Sequence, residues 1–205
     1  MLTKKQLIIF GEIGRKPFNE YTFRETKELS KEKSNSIIQR AIAQFKSEKL
    51  IKEIQKGNIK LYQINLDNKK VFDYLSLYYQ EGDLDNAAKN DLNRIEKELI
   101  KRNSFFSMAV FGSFATNKHK KNSDLDIAII VDENKNNAEI AINSVAKKCL
   151  KEIHAEVFTI KEFKEMLNAD YENVGKEIAR KNIPIYNVSI FYNIVKEAVE
   201  HGFKC

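Results

Sequence analysis

Apolar positions recur at helical spacing through the first third of the chain. Over Lys4–Ile13, the residues Leu7, Ile8, Phe10 and Ile13 predict a helix that Gly14 can end. Thr22-Phe23-Arg24-Glu25 is a capping box, in which the Thr22 hydroxyl accepts from the Glu25 amide and the Glu25 carboxylate reaches back. It predicts a second, short helix to about Leu29. Ser34 reads as the cap of a third helix to about Lys49, with Ile37, Ile38, Ala41, Ile42 and Phe45 on its apolar face. The period then changes. IKEIQKGNIKLYQI makes two strand-like runs around Lys56-Gly57-Asn58, where glycine supplies the positive φ of a tight hairpin. Helical character returns over residues 66–103. Val71, Phe72, Leu75, Leu77 and Tyr78 mark one amphipathic helix, broken near Glu81-Gly82-Asp83. Asp85 or Asn86 caps another, carrying Leu92, Ile95, Leu99 and Ile100. The aromatic residues Phe72, Tyr74, Tyr78 and Tyr79 have the spacing of packing core.

Beyond the connector, strand and helix patterns alternate. Met108–Phe111 is a short apolar run ending in Gly112-Ser113, and Asp124-Leu125-Asp126 opens a second run, Ile127–Val131. A helix over Ala138–Leu150, with Ile140, Ile142, Val145 and Leu150 apolar, leads to a strand at Glu152–Phe158. Thr159 and Glu162 form another capping box before Phe163, Met166 and Leu167. From Val174 come a helix, a turn and a short edge strand in which Pro184 is tolerable. Ser189–Phe203 closes the chain with an amphipathic helix carrying Ile190, Ile194, Val195 and Val199. The class is α+β in two domains: residues 1–66, a helical connector 67–103, a core of mixed sheet and flanking helices 104–188, and a C-terminal helix 189–205.

Charge changes this picture when it is located. The 205 residues carry a net charge of +6, yet residues 1–65 hold 14 Lys/Arg against 7 Asp/Glu, a net of +7. All of the excess is in the first third, as suits a surface that meets phosphate backbones. No stretch reaches the roughly 18 apolar residues of a membrane span. The opening MLTKKQLIIFGEIG lacks a small-residue cleavage site, so no signal peptide is expected. Cys149 and Cys205 make no disulfide framework, and reduced thiols in a cytoplasm are the expectation.

The order helix, helix, turn, helix, hairpin resembles a winged helix-turn-helix over about 65 residues. The resemblance implies that the third helix enters a major groove, with Lys33, Asn35, Ser36, Gln39 and Arg40 as candidate contacts. Lys52, Lys56 and Lys60 on the hairpin would meet phosphates. Winged helices also dock proteins or dimerise, so DNA, RNA and protein all stay open as partners.

The densest chemistry is in Ser107–Glu133. Asp124 and Asp126, two apart on a strand, point to one face. Paired carboxylates repel, and a divalent cation resolves the conflict; Mg²⁺ takes one or two carboxylates and completes its shell with waters and substrate phosphates. Gly112 lets the backbone approach a phosphate, and Ser113 offers an amide and a hydroxyl there. Downstream, alternation puts Glu152, His154 and Glu156 on one strand face.

Gly-Ser, a ten-residue spacer ending in Ser123, and Asp124-Leu125-Asp126, with apolar strands on both sides, resemble the DNA polymerase beta-like nucleotidyltransferases. The ten-residue spacer resembles that of the minimal prokaryotic members, among them antitoxins that adenylylate a partner toxin. The resemblance implies a site in which Asp124 and Asp126 bridge two Mg²⁺ ions. It makes Glu156 the third carboxylate, at the attacking hydroxyl, with His154 as its competitor. Gly112, Ser113, Ser123 and Lys121 would hold the nucleotide. Two departures stand out: Thr116-Asn117 replaces the usual Arg-Gly, and Glu156 is longer than the usual aspartate. Lys118, Lys120 and Lys121 offer substitute charge. The expected activity is transfer of AMP from ATP to a protein or RNA hydroxyl, with a HEPN-type toxin as a possible protein partner and a homodimer through the last helix left open. The alternative is a DNA-binding regulator that keeps the fold as a sensing platform.

Overall fold

Leu50 and Phe45 leave no surface in water, and with Phe10 and Ile38 they center the first of two compact units, Met1–Glu81 and Gly82–Cys205. The computed structural model describes residues 1–82, 84–103 and 105–205. Asp83, in the expected helix break, and Ser104, the first residue of the expected core, lie outside the described residues.

In the first unit, α1 (Lys4–Gly14) opens on a Thr3–Gln6 capping box. After it come β1 (Tyr21–Thr22), α2 (Phe23–Leu29), α3 (Asn35–Ser47), β2 (Ile51–Lys56), β3 (Ile59–Ile64) and α4 (Lys70–Glu81). Thr22 and Glu25 form the expected reciprocal cap of α2. Ser34 does not cap α3: its hydroxyl lies 2.9 Å from the Ser36 hydroxyl instead. Gly57, at φ +58°, turns the hairpin. The two-residue β1 adds to it, giving an antiparallel sheet in the order β1-β3-β2 with Tyr21 opposite Tyr62. Phe10 meets Phe45 edge to face at 5.3 Å, and each buried ring contributes about 2 kcal/mol by leaving water. Tyr79 is fully buried and Tyr78 nearly so, whereas Leu77 is 42% exposed, so the apolar stripe of α4 is narrower than expected.

The second unit begins with α5 (Asn86–Arg102), capped by the Asp85 carboxylate, which accepts from the Ala88 amide at 2.7 Å. Then follow β4 (Phe106–Val110), α6 (Gly112–Ala115), β5 (Leu125–Val131), α7 (Lys135–Ala146), β6 (Ile153–Thr159), α8 (Ile160–Asn168), α9 (Val174–Arg180), β7 (Ile183–Tyr186) and α10 (Val188–Glu200). The sheet order is β6-β5-β4-β7, with β5 and β6 parallel and the other pairs antiparallel. Pro184 sits on the edge strand β7, where its missing N–H costs no ladder bond. Helices α5 and α7 pack together, and α8 and α10 pack on strands of the sheet.

In this unit the apolar residues Ile100, Ile140 and Leu150, expected on helix faces, are exposed. Leu150 lies past the end of α7, in a turn fastened to α5. There the fully buried Asp91 carboxylate accepts the amides of Leu150 and Lys151 at 2.9 Å. Those backbone bonds fix the turn whatever the Leu150 side chain does. Among the described residues, no helix is long and apolar enough to cross a membrane.

Candidate active site

Strand β4 ends at Val110, and the Phe111 amide donates to the Asp126 carbonyl at 3.0 Å, which sets the Gly-Ser turn against the start of β5. Gly112 has φ +65°, a conformation that favours glycine. A Cβ there would overlap the Asp126 carboxylate. The Ser113 amide lies near enough to that carboxylate to favour its charged form.

Asp124 and Asp126 are both half-buried. Burial pushes the Asp126 carboxyl up from its ordinary value and the neighbouring Asp124 charge adds to this, while His154 and the Ser113 amide oppose it. The parallel register sets His154 beside Asp126, with Nδ1 3.7 Å from Oδ1. Glu152 approaches the other ring nitrogen at 3.6 Å. Glu156 shares this strand face but pairs with Ala128, one step further along the sheet. Glu177 on α9 also raises the Asp126 carboxyl through its charge. Sequence reading did not single out Glu177, and nothing in the local pattern around it could have done so.

The spacer is braced from behind. Phe114 is buried and stacks on His119 at 4.1 Å, and the Lys151 ammonium sits 4.9 Å from the Phe114 ring center. Lys151 also pairs with Asp85 at 3.1 Å and donates to the Lys121 carbonyl at 3.5 Å. Thr116 donates its hydroxyl to the Gly112 carbonyl at 3.1 Å. The Ser123 hydroxyl accepts from the Lys120 amide at 2.8 Å, which closes the turn ahead of Asp124. The Lys121 side chain is exposed.

The structure thus brings Gly112, Ser113, Asp124, Asp126 and His154 together, and sets Glu156 two residues along from His154. Among the described residues, no three His, Cys, Asp or Glu side chains stand close enough to hold a metal. Asp124 and Asp126 suit an ion of the kind that takes one or two carboxylates and draws its other ligands from water and substrate phosphate. Burial is the main cause that raises Asp126, and the Asp124 and Glu177 charges that add to it are what such a cation would offset.

The profile of the Nucleotidyltransferase domain family matches residues 92–202, which spans α5 through α10 and includes every residue of this cluster. The chain belongs to the nucleotidyltransferase domain family. No curated protein and no solved structure matches it. In this nucleotidyltransferase the mixed four-stranded sheet carries the Gly-Ser turn at the end of β4 and the aspartates at the start of β5.

The candidate nucleic-acid residues are all in the first unit. Lys33, Asn35, Ser36, Gln39 and Arg40 are exposed at the start of α3. Lys33 and Arg40 make no ion pair among the described residues; Arg40 donates to the Ser36 carbonyl at 3.2 Å, and Asn35 accepts from Lys27 at 2.6 Å. The hairpin lysines differ. Lys52 faces Asp67 at 2.6 Å, Lys56 faces Glu20 at 2.6 Å and Lys60 faces Glu53 at 3.5 Å.

Proposed function

We propose that this nucleotidyltransferase moves AMP from ATP, in a Mg²⁺-dependent reaction, onto a hydroxyl of a protein or RNA. The carrying observation is the Gly112-Ser113 turn packed against Asp126 beside Asp124, within a matched nucleotidyltransferase domain. Asp124 and Asp126 would hold the divalent ion. When bound, that ion offsets triphosphate charge and lowers the pKa of the attacking hydroxyl. The chain's own residues orient and move protons. Gly112 keeps side-chain atoms out of the space next to Asp126. The Ser113 hydroxyl and Lys121 would grip the triphosphate, while Ser123 holds the turn before the aspartates. Glu156, or His154 beside Asp126, would take the proton of the acceptor hydroxyl.

The favoured acceptor is a partner toxin of HEPN type, in a reducing cytoplasm, which follows from the likeness to adenylylating antitoxins. The N-terminal unit, whose order of three helices and a hairpin is that of a winged helix-turn-helix, would hold nucleic acid along α3. A second reading rests on the exposed Lys33 and Arg40: a DNA-binding regulator whose nucleotidyltransferase domain senses a ligand. Incubation with labelled ATP, CTP, GTP or UTP, Mg²⁺ and cell extract separates the two. Label from ATP entering protein or RNA, and lost in Asp124→Asn and Asp126→Asn, is the expected result. No transfer from any nucleotide, with operator DNA bound normally, would favour the regulator.

A further inference from the structure

Away from the aspartates, the second unit holds a cavity of about 290 Å³ lined by Ala169, Lys176, Arg180, His201, Phe203 and Lys204, among others. No carboxylate lines it. Lys176 is only 8% exposed, and its ammonium donates to the Ala169 carbonyl. An ammonium has three N–H donors, and a buried one calls for an anionic partner. Glu172 is the carboxylate whose charge reaches Lys176, but it is mostly exposed and taken by Arg180 through both oxygens, at 2.6 and 3.2 Å. Arg180 is further fixed by donating to the Lys204 carbonyl at 3.1 Å and by lying over the Phe203 ring. Two cations on one helix face, four residues apart, thus meet Glu172, with the charge of Cys205 also acting on Arg180, and Lys204 adds a third positive charge at the rim.

We propose that this cavity binds a compact phosphate-class oxyanion, with Lys176 and Lys204 as direct donors and Arg180 held beside them. The volume is just under the range of organic-ligand pockets, about 300–1,000 Å³, and so favours a small free ion over a polynucleotide strand. Arg180 is already engaged in a two-pronged pair, which leaves the lysines as point-charge donors for a phosphate. This assignment does not rest on the nucleotidyl-transfer reading, because its residues are separate from the aspartate site.

The test is thermal melting of the full chain in EDTA, with inorganic phosphate titrated against chloride at matched ionic strength. EDTA keeps divalent ions from recruiting phosphate to the aspartates. The expected result is a saturable, phosphate-specific rise in Tm. Lys176→Met, which keeps the buried volume, and Lys204→Ala, at the surface, should each weaken the apparent Kd about tenfold, the loss of one charge-assisted hydrogen bond. Lys161→Ala, on an exposed part of α8, should leave it unchanged. The absence of a phosphate-specific rise, or an equal rise in both cavity variants, would overturn the assignment. So would Lys204-dependent binding of a short RNA without any response to inorganic phosphate.

Discussion

At the scale of single residues, Gly112 is the least replaceable position in the site. Its φ of +65° and the overlap of any Cβ with the Asp126 carboxylate act together. Gly112→Ala should cost about 1–3 kcal/mol through backbone strain alone. It should also displace Asp126, so a lowered Tm accompanied by loss of nucleotide transfer is the expected pair of results. A variant with wild-type Tm and turnover would contradict the geometry. Tyr21 offers a pH test in the other unit. Its phenol is buried and donates to the Lys16 carbonyl at 3.3 Å, and burial pushes it up to about 12 from an ordinary value of 10.0. A raised folded value means that the fold tolerates the neutral phenol. That stability is fully present below pH 10 and is lost as pH rises through about 12. Melting curves across that window should fall more steeply for wild type than for Tyr21→Phe, and equal slopes would refute the assignment.

At the scale of elements, the termini of the helices decide where they begin. Sequence alone assigns similar caps to Thr22 and Ser34, but the structure separates them. Thr22 both accepts from the Glu25 amide at 3.2 Å and receives the Glu25 carboxylate, whereas Ser34 makes no cap bond. Thr22→Ala should therefore cost about 1 kcal/mol in chemical denaturation, and Ser34→Ala only a few tenths. Equal losses in the two variants would show that the caps are energetically alike. Strand β6 illustrates a different kind of control. The Asp91 carboxylate of α5 accepts the amides on the turn just before it, and Thr159 with Glu162 caps α8 just after it. The segment carrying His154 and Glu156 is thereby held at both ends by polar groups, which fixes its register against β5.

At the scale of the whole molecule, the two units differ in charge. The first holds the basic excess, yet its lysines are not equivalent. Those of the hairpin already face carboxylates, and must break those pairs before they can neutralise a phosphate. Arg40, without an ion pair, should carry more of any nucleic-acid affinity. Arg40→Ala should reduce the slope of log K against log salt by about 0.9, and Lys52→Ala by less, in binding assays run across salt concentrations. A larger change for Lys52→Ala would reverse this ranking. The sequence by itself determined the helices other than the four-residue α6, the hairpin but not β1 beside it, the strand pattern of the second unit and the pairing of Gly112-Ser113 with Asp124 and Asp126. These rest on periodicity and near-neighbour spacing, which are local properties of a chain. Only the tertiary structure decided that Gly112 packs against the Asp126 carboxylate, that His154 rather than Glu156 stands beside that aspartate, and that Glu177 adds its charge there. It also gathered Lys176, Arg180 and Lys204 around one cavity. The physical reason is the same in each case: strand register and helix docking bring together residues far apart in the chain, and local patterns carry no record of that distance.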